Sequence, residues 1–215
     1  MNKLLTEATS RHRHQIEELP QLQAMLGGTF SKSSYVNFLI QLYPIVSNFC
    51  PLMAAAVGRC ADRYTNLRMY LYEHIEHEKG HEIMVINDLE QLGYKCDDLP
   101  RVNPDPAARA MLAYNYYAID RIDPHYVIGM LYVLELLSSG YASNIAQSIS
   151  RAIDYPITRG FSFLDSHGTL DDDHLADLMG LIQSIESPDL VKKVVDSVDM
   201  NFYLFRQVIS DLPRN

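Results

Sequence analysis

The sequence has no tryptophan and only three cysteines among 215 residues, and no run alternates convincingly between apolar and polar positions. Without that alternation there is no signature of half-buried strands, and an all-α chain is expected. Cys50, Cys60 and Cys96 form an odd, sparse set with no C-x-x-C pair. They argue against a disulfide framework and read as small core hydrophobes of a reduced, cytoplasmic protein. Basic residues are scarce as well. Eighteen Lys and Arg stand against 27 Asp and Glu, a net charge of −9, and the densest basic pair is Lys192 with Lys193. A nucleic-acid partner would call for a basic excess. Residues 1–20 lack the apolar core of a secretory signal. Strongly apolar stretches such as 49–57 stop well short of the ~20 residues that cross a bilayer, so no membrane partner is expected.

What is present is helical periodicity, punctuated by proline and glycine. Helices are expected over 3–18, from the N-cap Ser31 toward Cys60, and over 65–92, where Gly93 supplies a stop. Pro44 and Pro51 should kink or split the second of these. Asp105 with Pro106, and Asp123 with Pro124, each open a further helix, the latter running to about Ala152. Short pieces lead to Asp171, and helices close the chain over 172–185 and 188–212. No linker or internal repeat divides it, so one domain spans 1–215. A chain of this length buries roughly 70% of its unfolded surface and needs no metal to stay folded. A metal site here therefore has another task.

Two segments concentrate metal-ligand chemistry. In the first, His74, Glu78 and His81 stand at i, i+4 and i+7, one helix face, continued by Leu71 and Val85. That stripe should face the core, where such groups are costly without partners. His77 and Glu73 fall on the solvated side. In the second, His167, Asp171 and His174 repeat the spacing, although the Gly168–Thr169 step argues against helix at its start. Between them Glu135 is the most anomalous acid, because 127–137 is otherwise apolar apart from Tyr132. Glu78, Glu135 and Asp171 with His81, His167 and His174, three carboxylates and three imidazoles, suit iron, manganese or zinc, and the absence of cysteine among them disfavours a structural zinc. Six ligands exceed the need of one catalytic metal and suit two, with Glu135 or another carboxylate bridging. A ferritin-like bundle would need a further Glu from the preceding helix. No Asp or Glu occurs from Leu19 to Ala61, so another helical fold must present the site.

These residues resemble the haem-oxygenase-like di-iron oxidase and oxygenase superfamily, the "iron-containing redox enzyme" proteins related to haem oxygenase, TenA and PqqC folds. The resemblance rests on His74-Ile-Glu-His-Glu78-Lys-Gly-His81-Glu with Asp88-Leu-Glu-Gln-Leu-Gly93, on Leu131-Tyr-Val-Leu-Glu135 with Gly140, and on His167-x3-Asp171-x2-His174. The N-terminal Leu5-Thr-Glu-Ala-Thr9 resembles haem oxygenases proper. The resemblance implies an all-α haem-oxygenase-like bundle of seven to eight helices. It also implies two non-haem iron ions, with manganese as the other candidate, that handle O2 and a small organic substrate: an amine, an amino acid or a fatty acid. A homodimer is compatible with it. It implies Glu78, His81, Glu135, His167, Asp171 and His174 as ligands. Many relatives carry a Glu where this chain has His74, which is then an extra ligand or a residue supporting the others.

Two other functions compete. A haem reading needs a proximal histidine on the first helix. His12 and His14 lie there, but Arg13 occupies the usual place. A TenA-like hydrolase needs a cysteine near a glutamate, and a non-catalytic TenA- or PqqC-like protein would only bind its ligand. Fourteen tyrosines and nine methionines point to an adaptable interior. Tyr43, Tyr114, Tyr116, Tyr117 and Tyr132 are pocket candidates, and Arg121 and Arg159 are candidate anchors for a substrate carboxylate.

Overall fold

The computed structural model describes residues 3–99 and 103–213, excluding the side chains of 169–172. Among the described residues there is no strand. The helices are α1 Lys3–Glu17, α2 Pro20–Leu26, α3 Lys32–Ser47, α4 Phe49–Arg59, α5 Thr65–Glu78, α6 His81–Gln91, α7 Pro106–Arg121, α8 Tyr126–Ala152, α9 Ser162–Gln183 and α10 Pro188–Ser210. The all-α expectation holds. The short helix α2, opened by Pro20, was not anticipated.

The 27-residue α8 is the axis of the bundle, about 40 Å long at 1.5 Å per residue. Nearly every side chain from Tyr126 to Leu137 is buried, so this stretch is covered around its whole circumference and, Glu135 apart, carries no charge, as suits a central helix. Helices α9 and α10 pack along it, α1 lies on α10, and α3 packs on α6. Two glycines set how closely α8 is approached. A Cβ at Gly168 of α9 would fall 2.1 Å from Ser143 Oγ and 2.5 Å from Ser143 N. A Cβ at Gly129 of α8 would fall 2.3 Å from Ser197 Oγ of α10. Gly168 is therefore a contact residue inside an unbroken helix, where the sequence pointed to a weak helix start.

Three other departures have local causes. The stretch Lys32–Arg59 is long and apolar enough to cross a membrane by length and composition, where the sequence reading saw only shorter apolar runs. In the fold it is two helices, parted at Asn48 and packed into the bundle, with Leu39, Ile45, Leu52 and Met53 fully covered. Asn48 Nδ2 donates to Pro44 O at 2.9 Å and ties the break. The expected helix over 65–92 is broken at Lys79, which is extended, and Gly80, which has φ +90°. A left-handed residue of that kind favours glycine. The pieces expected before Asp171 are instead one helix, α9, from Ser162 to Gln183.

Candidate metal centre

Four helices deliver the site. The inner face of α5 carries His74 and Glu78, α8 carries Glu135, and α9 carries His167, next to its close contact with α8 at Gly168, and His174 just under two turns further on. His81 opens α6 just past the break. His74, Glu78, Glu135 and His167 are 3–7% exposed. Glu73 and His77 face solvent, as the periodicity predicts, although the His77 ring stacks on that of His174 at 5.4 Å.

The ligand-type atoms fall into two groups that share one residue. His74, Glu78, Glu135 and His174 offer four atoms within 4.8 Å of one another, and Glu78, His81 and His167 offer three more. The two oxygens of Glu78 face different ways. Oε1 lies 3.4 Å from His174 Nδ1, and Oε2 lies 2.8 Å from His81 Nδ1. Glu135 Oε1 lies 3.1 Å from His74 Nε2, and its Oε2 lies 3.7 Å from His174 Nδ1. The carboxylate placed between the groups is thus Glu78, where the sequence left Glu135 or another carboxylate open. The i+7 geometry expected for His81 fails, because the helix breaks before it. The turn at Gly80 nevertheless returns its ring to Glu78.

Two of the donors, Glu135 and His167, are set for a cation. Burial alone would push the Glu135 carboxyl up, but the imidazoles of His174 and His74 outweigh it and hold the group below the usual carboxylate range. Burial lowers the His167 imidazole, which favours its neutral form. His167 Nδ1 lies 2.7 Å from the carbonyl of Phe163. A carbonyl only accepts, so Nδ1 carries the hydrogen and Nε2 keeps its lone pair. That nitrogen points at His81 Nδ1, 2.9 Å away. Histidine ligands are characteristically fixed by such a bond on the other ring nitrogen. Buried Glu78 Oε1 and Glu135 Oε2 find no hydrogen-bond donor among the described residues. Unsatisfied buried carboxylate oxygens are costly, and a cation between them would remove that cost. The donor set therefore fits a pair of metal ions. The Asp171 side chain lies outside the described residues.

One residue behind the site was quoted in the sequence motif without a role. Asp88 of α6 is wholly buried and caps the start of α9 from across the bundle. Its Oδ1 accepts from Ser162 N at 2.9 Å and Ser162 Oγ at 2.8 Å, and its Oδ2 accepts from Phe163 N at 2.8 Å. It fixes the helix that carries His167. Its charge at a helix N-terminus is favourable, although burial still pushes its carboxyl up.

The other expected residues lie elsewhere. Arg13 donates to Tyr141 Oη at 3.2 Å, His12 Nε2 meets Asp199 at 2.9 Å, and His14 is exposed. Tyr141 lines the cavity beside the cluster, whereas Tyr43, Tyr114, Tyr116, Tyr117 and Tyr132 do not. Tyr132 instead meets Thr9 at 2.9 Å, and Tyr116 and Tyr117 are at the surface. Arg121 pairs with Asp120, and Arg159 lies over Tyr155. Burial, with Glu78 and Glu82 nearby, pushes the Cys50 thiol up to about 11, so it is no ready nucleophile.

A family model described as iron-containing redox enzyme matches residues 36–203, which span every element of this site. The chain belongs to that family. No curated protein matches it. Among solved structures it is similar to a domain of unknown function with a haem-oxygenase-like fold from Shewanella denitrificans, at TM-score 0.86 and 20% identity over 97% of this chain and 90% of that one. It is also similar to a TenA homologue from Pseudomonas syringae, at 0.80 and 16% over 96% and 89%. A third is the haem oxygenase of Leptospira interrogans, at 0.74 and 18% over 98% and 100%. At these identities the likeness establishes the fold: this iron-containing redox enzyme family member has the haem-oxygenase-like architecture.

Proposed function

We propose that this chain is a non-haem di-iron enzyme that uses O2 to oxidise a small organic substrate. The observation that carries the reading is the pair of ligand groups joined through Glu78. His74, Glu78, Glu135 and His174 would hold one ion, and Glu78, His81 and His167 the other. Iron bound by imidazole and carboxylate supplies electrons and open coordination positions for O2. Manganese takes the same donors, so the metal is to be identified on the purified protein. The protein's own part is to keep the His167 imidazole neutral, to hold Glu135 ionised, and to exclude water behind the apolar walls of α3, α8 and α9.

A haem-binding role is less well supported. Counted along the haem-oxygenase-like stretch 5–9, the resemblance puts Arg13 where a proximal histidine is expected; Arg13 donates to Tyr141, and His12 is engaged with Asp199. The reading is tested by measuring O2 consumption by Fe(II)-loaded protein against a metal blank, with panels of amines, amino acids and fatty acids. Consumption above the blank with one class is expected. No consumption with any class would favour metal storage or ligand binding.

A further inference from the structure

A cavity of about 120 Å³ begins at Glu78, Glu135 and His167 and runs away from them between α1, α3, α8, α9 and α10. It touches α8 from Leu134 to Ile145, about 16 Å of helix axis at 1.5 Å per residue. It is therefore long and narrow. Its walls beyond the cluster are almost wholly apolar, with Phe38, Leu42, Phe163 and Phe205 among them, and Ser138 and Tyr141 the polar exceptions. Among the described residues no Lys, Arg, Asp or other Glu lines it. For comparison, an apolar cavity of about 150 Å³ takes up benzene.

We infer that this cavity binds a slim apolar chain whose far end rests at Glu78 and Glu135, and that free amino acids and polyamines are not its ligands. The physics is one of desolvation. A charged ammonium or carboxylate midway along the cavity would lose its water with no partner in return. An alkyl segment gains on burial, at roughly 0.8 kcal/mol per CH₂ in transfer from water. A ligand with one polar group must therefore place it at an end. At Tyr141, one of the polar lining residues, Arg13 donates to the hydroxyl at 3.2 Å and is itself shared with Glu17 at 3.6 Å, so a polar end of the ligand has a cation within reach there. The substrate class follows if the metal reading holds, but the binding itself does not depend on metal.

The test uses the full-length protein, both metal-free and Fe(II)-loaded, in calorimetric titrations with 1-octanol, octanoate and lysine. One octanol per chain should bind with a negative heat-capacity change, the mark of apolar burial. Octanoate should bind likewise, and lysine should give no heat. Ala142→Phe fills the middle of the cavity and should weaken octanol binding at least tenfold while Fe(II) uptake stays at the parent level. If that variant loses its helical circular dichroism, Ser138→Leu narrows the same place with a smaller change and should also weaken binding severalfold. Absent octanol binding, binding indifferent to both fillings, or tighter binding of lysine would each overturn the inference. Octanol binding without Fe(II) uptake would support the cavity assignment and count against the metal reading alone.

Discussion

Glu135 is the residue whose burial most needs a function, since removing it takes a charge out of an apolar helix. Glu135→Ala should abolish uptake at the ion site it shares with His74, Glu78 and His174. The metal-free variant should keep its helical fold, because the core is large enough without this group, but melt somewhat lower than the parent, because buried His74 loses its partner at 3.1 Å. Iron analysis with circular dichroism checks both halves, and loss of helicity in the metal-free variant would show the acid to be structural. Gly168 makes a different demand. Gly168→Ala puts a methyl onto Ser143 and should cost about 1–3 kcal/mol by overpacking. It should also weaken Fe(II) binding, because α9 must shift with His167 and His174. Parent-like denaturation and metal affinity together would contradict this. Asp88→Asn is near isosteric, yet either amide orientation sets an NH₂ against a backbone N–H of Ser162 or Phe163. A loss of about 1–3 kcal/mol is expected, with faster amide exchange at the start of α9, and unchanged exchange there would count against the cap.

At the scale of elements, prolines and caps marked most helices correctly. Ser31 accepts from Ser34 N, and Pro106 and Pro188 open α7 and α10 as their positions imply. The sequence misled where tertiary contact overrides local preference. Gly80 lies inside a strongly periodic run and gave no sign that the helix turns over there. Gly168 carried the signal of a weak helix, but its missing side chain serves the approach of α8. That His74, Glu78, His81, Glu135, His167 and His174 come together was legible, because imidazoles and carboxylates on a buried stripe need one another as partners. Which of them lies between the two groups was not, because that depends on the turn at Gly80 bringing His81 back to Glu78. The tyrosine candidates failed for a related reason. Residue type shows that a ring can line a pocket, whereas the face of α8 decides that Tyr141 does and Tyr132 does not.

For the whole molecule, acid stability should report a pair far from the metal centre. Asp123 accepts from the backbone N–H and Nδ1 of His125 and from Lys193 Nζ at 3.2 Å. Burial opposes these contacts, but they prevail and hold its carboxyl below the usual range. The folded chain then binds this proton less tightly than the unfolded chain. The stabilisation is present above the ordinary carboxylate value of about 3.9 and fades as pH falls through the lower folded value. Asp123→Asn should thus be destabilised near neutrality, and the gap to the parent should narrow below about pH 4. A gap that widens in acid in denaturant titrations would reverse the assignment. The central claim is that two groups of ligands joined at Glu78 hold two ions, and anaerobic Fe(II) titration of the metal-free protein tests it most directly. The account predicts saturation near two equivalents per chain, falling to about one or fewer in Glu135→Ala. No Fe(II) uptake by the parent, or a Soret band on haemin addition in its place, would contradict it.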